Sequence, residues 1–125
     1  MKKPPINAPF TGFIDEGMEF NGDIVTKSPL RIDGKVKGKL HSSSSIIVGP
    51  SAVFEGEMEG TEISISGTVK GKIIAKERIE IHATGRVNAD VITPILVVEE
   101  GAIFEGSSKM MPRKDILKSL PQKTA

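Results

Sequence analysis

The sequence predicts an all-β protein, a right-handed parallel β-helix of about six coils with disordered termini. Three observations carry this reading. First, one phrase recurs: an aliphatic-x-aliphatic pair, a Gly, then Val-x-Gly-x-aliphatic. It reads Leu30-Arg31-Ile32-Asp33-Gly34-Lys35-Val36-Lys37-Gly38-Lys39-Leu40, returns from Ile63 to Ile73, and returns loosened from Ile79 to Val91. Second, apolar residues within the phrase are spaced by two, the period of a strand, and no sustained spacing of three or four appears over residues 14–106. Third, aromatic bulk is scarce, with five Phe and no Trp or Tyr, so a core must be built from thin layers of Ile, Val and Leu. A repeat that cannot cover its own apolar side buries it by stacking on the next copy.

The elements follow in chain order. Residues 1–11 form a tail with three Pro and little apolar content, expected to be disordered. The core is expected over residues 12–107, with the second Gly of each phrase as its marker. That marker falls at Gly22, Gly38, Gly56, Gly71, Ala89 and Gly106, at intervals of 16, 18, 15, 18 and 17 residues. Two positions before it stand Phe20, Val36, Phe54, Val69, Val87 and Phe104. Two after it stand Ile24, Leu40, Met58, Ile73 and Val91, a column that ends at Ser108. The aliphatic pairs Leu30/Ile32, Ile46/Val48, Ile63/Ile65, Ile79/Ile81 and Leu96/Val98 give a third side. Three short strands per coil, with coils about 4.8 Å apart, make a rod roughly 29 Å long. Some residues fit steps of six (Ile63, Val69, Ala75, Ile81, Val87), the period of a left-handed helix. Unequal coils and the insertion Gly49-Pro50-Ser51-Ala52-Val53 favour the right-handed form. Residues 108–125 form a basic tail in which Ile116, Leu117 and Leu120 would share one face of a short helix starting near Pro112.

Charge is arranged by column. Directly after the marker come Asp23, Lys39, Glu57, Lys72 and Asp90, alternating in sign. Stacked in register they oppose unlike charges, whereas a pairing that skips one coil opposes like charges. Each exposed pair contributes only about 0.2–1 kcal/mol, so the columns are expected to set register more than stability. The plainer alternative is a set of solvated strand faces. The net charge is +1, yet residues 4–106 hold ten Lys and Arg against fifteen Asp and Glu, a net −5. A mildly acidic body does not suit nucleic acid, which selects a basic face.

Chemistry is thin on the ground. With no Cys there is neither a disulfide framework nor a thiolate site, which suits a reducing cytoplasm. His41 and His82 fall in different parts of their coils, short of the three or four ligands of a zinc site. Ser42-Ser43-Ser44-Ser45 is a polar corner with no adjacent base, and the Gly-containing phrases lack the Gly-Lys-Ser/Thr ending of a phosphate cradle. No catalytic, metal or cofactor-binding residues are assigned, and the chain is expected not to be an enzyme. Neither an apolar run of about 20 residues nor a secretory signal is apparent.

The phrases Leu30-Arg31-Ile32-Asp33-Gly34-Lys35-Val36-Lys37-Gly38, Ile46-Ile47-Val48-Gly49 and Ile65-Ser66-Gly67-Thr68-Val69-Lys70-Gly71 resemble the bactofilins, small bacterial cytoskeletal proteins. The resemblance covers roughly residues 12–106. It implies a right-handed β-helix core between disordered tails, and polymerisation without nucleotide into filaments or sheets by end-to-end contact of cores. It further implies a cytoplasmic scaffold in cell shape or polarity, held in many members against the inner face of the membrane by an N-terminal peptide.

The residues themselves suggest where contacts form. A β-helix has two open ends, each with unpaired backbone and a last apolar layer, and no strong capping sequence adjoins either end here. The expected polymer interface is Phe13, Ile14 and Phe20 at one end, and Leu96, Val98, Ile103 and Phe104 at the other. An apolar end of roughly 300–400 Å² would contribute several kcal/mol before the cost of association. Like ends could meet, or head could meet tail. Met1, Lys2, Lys3, Ile6 and Phe10 are candidates for pressing onto an anionic bilayer, against a plain solvated tail. Arg113, Lys114, Ile116, Leu117 and Leu120 are candidates for docking another protein. The competing reading is a non-polymerising module that recruits partners or membrane through its tails.

Overall fold

The computed structural model describes residues 12–110 and Pro112. Ten strands follow in order: β1 (Gly12–Ile14), β2 (Glu19–Thr26), β3 (Leu30–Ile32), β4 (Lys35–Ser42), β5 (Ser45–Val48), β6 (Val53–Ile65), β7 (Thr68–Ile81), β8 (Arg86–Thr93), β9 (Leu96–Val98) and β10 (Ile103–Met110). No helix occurs among the described residues. Every strand pairs in parallel with the chain one turn away. The marker column pairs rung by rung, Gly22–Gly38–Gly56–Gly71–Ala89–Gly106. Six rungs enclose five full turns, and the fold is the expected parallel β-solenoid.

Each turn has three sides. The first leads up to the marker, the second leaves it, and the third holds the aliphatic pair. At the marker the chain turns while keeping its ladder. Gly22, Gly38, Gly56, Gly71 and Gly106 all have φ between 120° and 137°, a region that L side chains rarely adopt. A Cβ on Gly56 would also run into the carbonyl oxygen of Gly38 one rung below. Because the bend keeps its hydrogen bonds, the middle turns are not cut into three short strands. β6 and β7 run through their corners as continuous strands of 13 and 14 residues.

Unequal coil lengths come mainly from the corner between the third side and the next first side, with one residue fewer between Gly56 and Ile63, and between Ala89 and Leu96, at the corner before the third side. After Val48 the chain makes a turn closed by Ala52 N–H to the Gly49 carbonyl at 3.0 Å, and the same turn closes Asp15–Met18, His82–Gly85 and Glu99–Ala102. After Ile32 and Ile65 the corner is two residues shorter, through Gly34 and Gly67. At the second corner, side-chain hydroxyls take the place of backbone partners. Buried Ser42 donates to the Ser28 carbonyl at 3.2 Å and accepts from Ser44 N–H at 3.0 Å, while buried Thr93 donates to the Ile95 carbonyl at 3.0 Å. Burying these hydroxyls is tolerated because each is hydrogen-bonded.

The core is three stacked ladders. Val36, Phe54, Val69 and Val87 line the first side, and Leu40, Met58, Ile73 and Val91 the second. On the third, Ile32, Val48, Ile65 and Ile81 stand above one another. The coil-to-coil pairing that the alternating charges favour is the one observed: Asp23, Lys39, Glu57, Lys72 and Asp90 are direct ladder neighbours. Beyond Asp90, Ser107 occupies the column and its hydroxyl donates to Asp90 Oδ1 at 2.8 Å. β10 continues to Met110, so Ser108, Lys109 and Met110 also pair in the ladder, where no apolar pattern signals them.

Candidate polymer interface

The periodicity of the rod stops at its two ends, and the apolar columns surface there. Phe20 and Phe104 are the first and last members of one ladder, whose middle aromatic, Phe54, is fully buried. Phe20 is 37% exposed, because it has a rung on one side only. Phe104 is half-buried and packs on the end of the core. On the third side Leu96 is half-buried and Val98 is 43% exposed, although the ladder partner of Val98, Ile81, is fully buried. Among the described residues, β1 pairs only with β3, β2 only with β4, β9 only with β7 and β10 only with β8. Each end rung thus presents one unpaired edge of backbone beside a part-covered apolar layer.

Not every expected interface residue sits in that layer. Ile14 is on the ladder with Ile32 and is only 8% exposed, so little of it remains to be covered. Ile103 points away from the core: its column runs through Arg86, Thr68, Val53 and Lys35, and it stands on the flank of the last rung. Phe13 pairs with Arg31 through the backbone. Met18 and Met110, both more than half exposed, lie at opposite ends of the rod and escaped the sequence reading. Met18 sits in the Asp15–Met18 turn, off every column, and Met110 lies past the last apolar marker. Ile24, half-buried in the first rung, belongs to the second-side column and was legible there. Met1, Lys2, Lys3, Ile6 and Phe10 lie outside the described residues, as do Arg113, Lys114, Ile116, Leu117 and Leu120.

The flanks carry charge rather than chemistry. Lys37 and Glu55, ladder neighbours, approach to 3.9 Å. His41 Nδ1 lies 3.2 Å from Glu59 Oε2 at an angle that makes no hydrogen bond, with both side chains 17% exposed. His82 Nδ1 lies 3.2 Å from Glu99 Oε2, at a different corner. Among the described residues no three His, Asp or Glu side chains gather as a metal site would require.

A solenoid of similar rungs, with a part-covered apolar layer and no further strand pairing at either tip among the described residues, is the architecture of a structural protein that stacks. The family match is to the bactofilins, described as polymer-forming cytoskeletal, over residues 12–109. The chain belongs to this family. It is 33% identical over 97 residues to bactofilin BacO of Myxococcus xanthus, covering 78% of this chain and 77% of that one. To bactofilin BacP of the same organism it is 32% identical over 90 residues, covering 72% of this chain and 38% of BacP. The fold matches a chain in the cryo-EM reconstruction of Thermus thermophilus bactofilin double helical filaments. The TM-score is 0.76 at 31% identity, with 80% of this chain and 99% of that chain covered.

Proposed function

We propose that this protein is a scaffold whose cores join end to end into filaments without nucleotide, and that the filaments organise proteins of cell shape or polarity. The observation that carries the reading is the pair of open tips. The same ladder buries Phe54 completely in mid-rod and leaves Phe20 37% exposed at the end. A neighbouring molecule supplies the missing rung and the missing backbone partners. Energy from a nucleotide is unnecessary, since the driving force is burial of apolar surface already displayed. Phe20 forms the contact surface at one end, with Ile14 and Phe13 joining it there, and Phe104, Leu96 and Val98 form it at the other, with Ile103 on its flank. The tails supply the links to other components: the N-terminal residues to the inner membrane surface, the basic C-terminal segment to partner proteins. Negative-stain microscopy of the purified chain, in buffer free of ATP and GTP, tests the reading. Filaments are expected, and a uniform population of monomers at every concentration and salt would refute it.

A further inference from the structure

The second side of the rod, between the marker corner and the hydroxyl corner, presents two outward columns. One reads Asp23, Lys39, Glu57, Lys72 and the other Val25, His41, Glu59, Ile74, from the first rung to the fourth. They flank a shallow groove of about 280 Å³. We propose that this face pairs with the same face of a second copy, rods antiparallel, about a two-fold axis that runs along the strands between the second and third rungs.

The argument is charge complementarity. A two-fold axis lying in the contact plane, parallel to the strands, keeps each column opposite itself and reverses the order of the rungs. Placed between rungs two and three, it sets Asp23 against the partner's Lys72 and Lys39 against the partner's Glu57. In the second column, His41 meets the partner's Glu59 and Val25 meets the partner's Ile74. Val25 is 74% exposed, more than any other large apolar side chain described, and this pairing covers it with an apolar residue. Every row is therefore matched in both columns. Moving the axis onto the third rung opposes Lys39 to the partner's Lys72 and Asp23 to the partner's Asp90. Moving it between rungs three and four rescues the charges but puts Glu59 against the partner's Ile74 and Val25 against the partner's Lys109. The side before the corner has no such match: the same operation leaves Lys35 opposite the partner's Val53 and Glu19 opposite the partner's Thr68.

Four rungs at about 4.8 Å, each about 12 Å wide, cover only ~230 Å² per copy, well under the ~800 Å² of a stable pair. The contact is a weak lateral one that strengthens when many copies are aligned along a polymer. For that strength, and only for it, the inference rests on the end-to-end reading above.

The chain has no Cys, so single substitutions report the contact cleanly. Full-length Val25→Cys and full-length Ile74→Cys are mixed and treated with a short bismaleimide, with each variant alone as control. A 25–74 product is expected, and Ile74→Cys alone should give little. Ile74 lies in the fourth rung, three rungs from Val25 and away from both tips, so end-to-end contact cannot produce this link. Absence of the 25–74 product, or dominance of a 74–74 product, overturns the pairing whether or not filaments are present. Filament length in the same samples reports the end contact separately. Adding Lys39→Glu to both chains should reduce the product by about tenfold or more, because like charges then oppose each other twice across the axis. Adding Lys39→Glu with Glu57→Lys should restore it to within about twofold. Along the ladder of a single rod, the single and double changes each create two like-charged neighbours. If the double change stays as poor as the single one, the columns act only within the rod and the proposal falls.

Discussion

Replacing Phe20 or Phe104 by Arg tests the tips one at a time. Phe20 is 37% exposed. A Phe side chain buries about 200 Å² when fully enclosed, so roughly 75 Å² remains for a neighbour to cover, about 2 kcal/mol per contact. Phe20→Arg removes that term and leaves an unpaired charge in a closed contact, a further ~3–5 kcal/mol. The sum of about 5 kcal/mol or more lowers the association constant by three to four powers of ten, enough to abolish a micromolar contact. The rod itself should survive, since the substituted side chain lies on an end rung open to water. Far-UV circular dichroism should keep its β signal while microscopy shows no long filaments. Mass from sedimentation velocity then reads the direction of growth. If head meets tail, either substitution destroys the only contact and leaves monomers. If like ends meet, each destroys one of two contacts and leaves dimers joined through the intact tip. Ser64→Arg, an added charge on the outer third side in mid-rod, is the control and should leave filaments unchanged. Filaments of normal length from both Phe20→Arg and Phe104→Arg would refute the tip contact.

Three further outcomes are expected. Phe54→Ala should destabilise the rod by about 3–5 kcal/mol in chemical denaturation, because the side chain is fully buried between two rungs, while Phe104→Ala, with one rung to pack on, should cost about half as much or less. Gly56→Ala should lower stability by about 3 kcal/mol or more, read as a drop in Tm. Its φ of 130° strains an L residue, and the new Cβ meets the Gly38 carbonyl from which no flexible side chain can retreat. Liposome co-sedimentation with anionic vesicles should pellet the full chain more than a chain lacking residues 1–9, and the difference should shrink as salt screens Lys2 and Lys3; equal pelleting removes the membrane role.

Most of the architecture was legible because the solenoid repeats its rule six times. The marker column, the three apolar ladders and the alternating charges were all readable from spacing alone, and the observed register pairs the residues that spacing aligned. The strand count was less so. Three strands per coil is the natural guess when Gly interrupts each phrase, yet β2, β4, β6, β7, β8 and β10 all run through the marker, and β6 and β7 also carry on through the second corner, past the register shift at Gly60/Glu62. The tips were the hardest part to read. A side chain at the end of a repeat is classified by the column it belongs to, and Ile103 was counted with Leu96, Val98 and Phe104 in the last apolar layer. In the register it shares a column with Arg86 and Lys35, which places it on the flank. Met18 belongs to no column, so periodicity could not single it out.

The even spread of side-chain chemistry along the flanks and the stacking of the rungs follow from the same cause. An active site needs one place that differs from all others, with several functional groups converging on it. Here each outward position is repeated one turn later at about 4.8 Å, so chemistry placed on a flank is spread along a line rather than focused at a point. What repetition does concentrate is contact. A weak match on one rung, such as Lys39 beside Glu57, is copied in alternating sign up the rod, and a self-matching face follows without any single strong pair. The ladder ends at the first and last rungs, where, among the described residues, Phe20 and Phe104 meet no further turn. On the scaffold reading proposed above, the tips and the flanks are the surfaces that meet further copies of the chain.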